Sequence, residues 1–229
     1  MFMSISDNLN TIHATIANAA EFGKRKVSDI QLVAVSKKQP DVRIVEALDA
    51  GHRLFGENRV QEAQERWGSF ESGRRKEYPD LKLHLIGPLQ TNKAGDAVAL
   101  FDVIETLDRE KLARALSKEM QKQDRSLPCF IQVNTGEEEQ KSGILPHALK
   151  DFHAYAVDEC GLNVVGLMCI PPIDEASGVY FALLKQYADS LGLKELSMGM
   201  SGDFEKAIPL GASYVRVGTG VFGVRPSEL

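Results

Sequence analysis

Residues 196–220 read LSMGMSGDFEKAIPLGASYVRVGTG, and this stretch decides the fold. It holds two short apolar runs, 196–200 and 214–217, each closed by turn-forming residues. Between them Phe204, Ala207 and Ile208 recur at helical spacing. The order is strand, helix, strand. Runs without an alternating polar face mark strands covered on both sides, as parallel strands are. A crossover between parallel strands is right-handed.

The same unit recurs upstream. Apolar runs lie at 32–35, 53–55, 81–86, 102–107, 129–133 and 164–170. Turn residues follow several of them: Ser36-Lys37, Gly56-Glu57-Asn58, Gly87-Pro88, Asn134 and Pro171-Pro172. Helical patterns lie between. Val42, Val45, Ala47 and Leu48 share one face; Leu112, Ala115 and Leu116 share another; Phe181, Leu184 and Ala188 share a third. About eight such units predict an α/β fold, a single (β/α)8 TIM-type barrel domain over residues 1–229. An open doubly wound sheet is the alternative. No Gly-x-Gly-x-x-Gly follows the first strand, which counts against its dinucleotide-binding version. Ile5, Leu9, Ile12 and Ile16 predict an extra N-terminal helix over residues 4–22, with Ser4 and Asp7 as its cap. That helix is expected to cover barrel surface that a longer final helix would otherwise cover.

Composition narrows the function. Of 229 residues, 43% are hydrophobic and 26% charged, an ordinary globular balance. A net charge of −5 gives no overall pull toward nucleic acid or an anionic membrane. No apolar run approaches the ~18–20 residues needed to span a bilayer. The polar first 26 residues lack a signal-peptide core, so the expected location is cytoplasmic. Cys129, Cys160 and Cys169 form no Cys-x-x-Cys pair, so neither a disulfide framework nor a structural zinc is expected. The five histidines show no His-Glu-x-x-His pattern and read as surface or structural residues; no metal is expected. Glu137-Glu138-Glu139 reads as a solvated loop.

Sites in such barrels form at the C-terminal ends of the strands. The first strand ends in Ser36-Lys37-Lys38. A lysine there, desolvated in the mouth, is a nucleophile toward carbonyls; a solvated loop lysine is the plain alternative. Ser201 and Gly202 sit where a helix begins, which favours an anion; an ordinary N-cap is the alternative. Gly218, Thr219 and Gly220 follow the last strand. The loops after strands seven and eight are the recurrent phosphate site of these barrels. Arg216 alternates with Val215 and Val217 and so should face the interior, where it needs an acceptor. That acceptor is either a carboxylate such as Glu57 or a ligand ring nitrogen or oxyanion. An amine, a phosphate site and an inward arginine together suit a phosphorylated aldehyde. Pyridoxal 5'-phosphate (PLP) fits all three parts, and a sugar-phosphate ketone fits the first two.

The sequence resembles the pyridoxal phosphate homeostasis proteins, whose barrel is related to the N-terminal domain of alanine racemase. The shared motifs are Ala34-Val35-Ser36-Lys37, Phe55-Gly56-Glu57-Asn58 with Val60-Gln61-Glu62, and Ile86-Gly87-x-Leu89-Gln90-x-Asn92-Lys93. Further along stand Val133-Asn134 with Lys141-x-Gly143, and Gly166-Leu167-Met168-x-Ile170-Pro171. The last is Leu196-Ser197-Met198-Gly199-Met200-Ser201 with Val215-Arg216-x-Gly218 and Phe222-Gly223-x-Arg225. The resemblance implies that Lys37 forms the aldimine with PLP. It implies that Ser201, Gly218 and Thr219 hold the phosphate, beside Gly202. It places Arg216 at the pyridine nitrogen, Asn58 beside the ring or lysine, and Met198 near the ring. Arg59 and Leu83 depart from the common pattern, where the family often carries aromatic residues.

The same resemblance bears on catalysis. An arginine at the ring nitrogen discourages its protonation and weakens the electron sink. Racemases answer with strong, positioned bases. In alanine racemase the opposing base comes from a second domain of the partner subunit, and here the sequence stops at Leu229, soon after the last strand. None of the tyrosines ends a strand. The expectation is a PLP-binding protein that buffers or delivers its cofactor, as a monomer, with PLP-dependent apo-enzymes as recipients and no catalytic residues of its own. Release would use a competing amine or a second lysine, with Lys93 and Lys141 as candidates and surface positions as their plain reading. A racemase-like enzyme is the alternative, and a sugar-phosphate Schiff-base aldolase a third reading.

Overall fold

The computed structural model describes residues 4–69 and 71–224. Arg225, part of the last shared motif, lies outside the described residues.

Eight parallel strands close into a barrel in sequence order, β8 returning to pair with β1. A helix comes first, α1 (Ile5–Phe22), and then β1 (Gln31–Val35). There follow α2 (Asp41–Asp49), β2 (Leu54–Glu57), α3 (Val60–Trp67), α4 (Arg74–Glu77) and β3 (Lys82–Leu85). The middle of the chain supplies α5 (Ala94–Leu100), β4 (Val103–Leu107), α6 (Glu110–Lys122), β5 (Cys129–Gln132), α7 (Leu149–Ala154) and β6 (Val164–Met168). It finishes with α8 (Ser177–Ser190), β7 (Glu195–Met200), α9 (Phe204–Ala207), β8 (Tyr214–Val217) and α10 (Thr219–Phe222). The predicted barrel is the observed one.

The N-terminal helix starts as its sequence requires. The Ser4 side chain accepts from the Asp7 amide, and the Asp7 side chain accepts from the Ser4 amide, a full capping box. Ile5, Leu9, Ile12, Ile16 and Ala20 form its buried stripe. It packs against α10, α9 and α2, and Asn8 donates to the carbonyl of Val221 at 2.8 Å. It therefore covers the side of the barrel where α10 has only one turn.

In α2 the buried residues are Ile44, Ala47 and Leu48, while Val42 and Val45 are exposed. Ala47 and Leu48 lie on the expected buried face, and Ile44 completes its i, i+3, i+4 stripe in place of Val42 and Val45. Along β1, Leu32 and Ala34 join the apolar layer between sheet and helices, and Val33 faces the lumen. Among the described residues no helix is long and apolar enough to cross a membrane.

Candidate functional site

Strand β1 delivers Lys37 to the C-terminal mouth. Two contacts hold the residue before it. The fully buried Ser36 hydroxyl donates to Glu57 Oε1 at 2.6 Å, and its carbonyl accepts from Arg66 at 2.7 Å. Lys37 is half-buried, whereas Lys38 is exposed with φ +56°. The two adjacent lysines thus have different surroundings.

The loops after β7 and β8 meet beside that lysine. Ser201 Oγ accepts from the amide of Gly218 at 3.2 Å and from that of Gly220 at 3.5 Å. Two amides therefore converge on the Ser201 hydroxyl oxygen. A Cβ placed on Gly218 would lie 3.5 Å from Val35, so this cradle abuts the end of β1, two residues before Lys37. A Cβ on Gly202, the exposed residue after Ser201, would meet nothing within 4 Å. Thr219 is exposed at the same turn. Asp203 caps the turn differently from the expectation for a plain helix start: its carboxylate accepts from the Met200 amide at 2.7 Å.

Arg216 faces the lumen, as the alternation of β8 predicts. It is almost fully buried, and it donates to Ser197 Oγ at 2.5 Å and to the carbonyl of Cys169 at 2.8 Å. Its carboxylate neighbour is Glu105, 3.9 Å away, and not Glu57. Glu57 points to the helix side of the sheet instead, where Trp67 donates to it at 3.0 Å and Arg66 sits at 3.5 Å. Burial pushes the Glu57 carboxyl above the ordinary glutamate range, against the pull of Arg66 and the bonds from Ser36 and Trp67.

Asn58 is half-buried at the end of β2, its backbone pressed against Gly87. It lines a cavity of about 280 Å³ with Gly87, Asn134, Lys141 and Ser142. Lys141 is therefore not a plain surface lysine: it donates to the Pro171 carbonyl at 3.1 Å and pairs with Glu138 at 2.5 Å. That pairing also gives Glu138 a role beyond a solvated acidic loop. Lys93 pairs with Asp96 at the start of α5. Met198 is fully buried in the apolar core.

Two lumen residues, Glu105 and the His84 that pairs with it, were not foreseen as parts of a site. His84 Nδ1 lies 2.6 Å from Glu105 Oε1, and Ser197 donates to Glu105 Oε2 at 2.6 Å. Their signal was present: like Arg216, they are charged or titratable residues inside apolar strands. The cysteines are free and buried. Burial pushes the Cys129 and Cys169 thiols up to about 12, which removes them as nucleophiles at neutral pH. No metal-binding group is found among the described residues.

A strand-end amine, two loop amides that converge on the Ser201 hydroxyl and a buried guanidinium sit on a closed (β/α)8 barrel, and that barrel is of the alanine racemase class. Residues 9–226 match the family model described as alanine racemase, N-terminal domain. The chain belongs to the family of the pyridoxal phosphate homeostasis proteins. It is 40% identical to the protein of that name from Vibrio cholerae, with 97% of each chain covered. It is similar to the structure of PipY from Synechococcus elongatus PCC7942 with PLP bound (34% identity, TM-score 0.81, 96% of this chain and 100% of that one). An alanine racemase from Bartonella henselae shares the fold (16% identity, TM-score 0.72), and 97% of this chain aligns with 59% of the racemase.

Proposed function

We propose that this chain holds PLP in the barrel mouth and serves PLP homeostasis in the cytoplasm, as a monomer that buffers the cofactor or delivers it to apo-enzymes. The observation that carries this reading is the cradle at Ser201, Gly218 and Gly220, set against the end of the strand that leads to Lys37. When bound, PLP supplies an aldehyde that bonds reversibly to an amine, and a ring that draws electrons from it.

The residues present fit that group. The two amides already converge on an oxygen, that of Ser201, and the neighbouring Gly202 carries no side chain to crowd a ligand there. Ser201, Gly202, Gly218 and Thr219 would hold the phosphate. Lys37 Nζ would carry the covalent attachment, and Asn58 would flank it from β2. Arg216 would donate to the pyridine nitrogen. A permanent cation there opposes protonation of that nitrogen, so the ring's electron withdrawal stays weak. Met198, fully buried on β7, would lie near the ring. Lys141, in the adjoining cavity, is the better placed of the two candidate lysines for release.

We assign no catalytic residue. Tyr214, the only tyrosine on a strand, begins β8 and so lies at the opposite end of the barrel from the mouth. Tyr180 is bonded to Glu175, and Tyr155 to Arg114. None stands as the opposing base that a racemase requires.

The test is the visible absorption spectrum with added PLP, followed by borohydride reduction and mapping of the labelled peptide. A yellow protein labelled at Lys37 is expected. A colourless protein without label would overturn the reading.

A further inference from the structure

The barrel lumen contains an unbroken hydrogen-bonded line of four side chains from four strands, β3, β4, β7 and β8. Glu105, on β4, is fully buried and has both oxygens engaged. Oε1 meets His84 Nδ1 of β3 at 2.6 Å. Oε2 accepts from the Ser197 hydroxyl of β7 at 2.6 Å. Since that hydroxyl has one proton and gives it to Glu105, its lone pairs are left for Arg216, which donates to it at 2.5 Å. The second terminal nitrogen of Arg216 is tied to the Cys169 carbonyl at 2.8 Å. The guanidinium is thereby fixed in plane and rotation, and its remaining N–H groups have set directions.

Charge points the same way. Arg216 is almost fully buried, and a buried cation needs a counter-charge. The carboxylate nearest to it is Glu105, 3.9 Å from the guanidinium. Burial alone would push that carboxyl up. The bond and charge of His84, the charge of Arg216 and the bond from Ser197 outweigh it, and the group stays below the ordinary glutamate range. Glu105 is thus an anion within the lumen.

We propose that Glu105 is a positioning residue which, through the Ser197 hydroxyl, aims the Arg216 guanidinium and so makes the site selective for a ring with an acceptor nitrogen. This rests on the reading that the mouth holds PLP. Neither Glu105 nor Ser197 touches the ligand in this arrangement; both act through Arg216.

The experiment compares two ligands: PLP, and the analogue in which the ring nitrogen is replaced by C–H. Dissociation constants are measured by absorbance titration for the wild-type chain, Glu105→Gln and Ser197→Ala. The wild type should prefer PLP by about tenfold, the scale of one hydrogen bond to a charged group. Each variant should lose most of that preference, chiefly by weakening PLP. The double variant should lose no more than either single one, because the residues act in series. Ser197→Ala removes one hydroxyl only and carries the same expectation if Glu105→Gln fails to fold. Variants that weaken both ligands equally would show a general packing role and overturn the proposal. So would variants that keep the wild-type preference, or a wild type that binds both ligands equally. A wild type that binds neither ligand would overturn the functional reading, and this inference with it.

Discussion

The Ser36 hydroxyl and the Glu57 carboxylate lie 2.6 Å apart, directly beneath the residue pair in which β1 hands over to Lys37. One oxygen of Glu57 serves Ser36 and Trp67, while the other, Oε2, is buried without a hydrogen-bond partner. An unpartnered oxygen is cheaper as a carboxylic acid than as an anion. Burial accordingly raises the group above its ordinary value of 4.5. The folded state then holds this proton more tightly than the unfolded chain does. Its contribution to stability is complete below about the unfolded value and is lost as pH rises through the raised folded value. Glu57→Gln cannot titrate. Thermal melts should therefore show the wild type losing stability relative to Glu57→Gln from about pH 4.5 upward. A constant difference between the two across that window would count against a proton on Glu57.

Lys37 and Lys38 are adjacent but differ in setting: half-buried at the barrel mouth for one, exposed at positive φ for the other. Lys37→Ala should abolish the visible band with PLP and the borohydride label. Lys38→Ala should leave both within about twofold of wild type, the scatter expected of a surface substitution. Equal loss in both variants would mean that the loop, and not one amine, makes the attachment.

Ser201 is the hub of the proposed phosphate cradle, since its oxygen takes both the Gly218 and Gly220 amides. Ser201→Ala removes one donor to a charged ligand and should weaken PLP by about tenfold. Pyridoxal, which lacks the phosphate, should bind the variant and the wild type alike. A parallel loss for pyridoxal would place the effect elsewhere in the mouth.

How far the sequence disclosed this arrangement depends on the range of each contact. The eight runs and the capping box of Ser4 and Asp7 are local, and they were legible. Strand ends moved by one or two residues: Val133 and Ile170 fall just beyond β5 and β6, although the Val133 amide still donates to the Met168 carbonyl at 2.8 Å. Arg216 was legible as an inward residue from the alternation of β8 alone. Its partners were not. Ser197 and Glu105 are 92 residues apart, and only closure of the barrel brings them together. Ser201 was legible as the start of a helix. That its hydroxyl binds amides 17 and 19 residues further on required the loops after β7 and β8 to be seen side by side.

Gly87 is a glycine for a steric reason. A Cβ there would lie 2.4 Å from the Asn58 carbonyl oxygen and 2.6 Å from its Cα, both backbone atoms that cannot swing aside. Gly87→Ala must push the β2 loop that carries Asn58 out of place, at a cost of about 1–3 kcal/mol. The melting temperature should fall by several degrees, roughly 2–4 °C per kcal/mol for a chain of this size. Gly178→Ala, inside α8, is the control. Its Cβ would meet only Leu210 at 3.9 Å, and helix propensity favours alanine, so its melting temperature should hold or rise.

The last prediction separates holding a cofactor from using it. Exchange of an amino acid's α-proton needs a ring that accepts the electron pair and a base placed to take the proton. With Arg216 at the ring nitrogen as proposed, its guanidinium, held by Ser197 and backed by Glu105, works against the first by disfavouring a proton on that nitrogen. Among the tyrosines, Tyr214 is at the far end of the barrel and burial pushes its hydroxyl up, so it is a poor source of a base. With PLP bound, the protein should exchange the α-proton of a panel of small amino acids in deuterated water no faster than free PLP at the same concentration. Exchange at an enzyme's rate, on the order of 1 s⁻¹ or more, and abolished by Lys37→Ala, would assign the chain a catalytic role. Arg216 would then have to be tolerated by a base not yet identified in the mouth, and the cavity beside Asn58 and Lys141 is where that base should be sought.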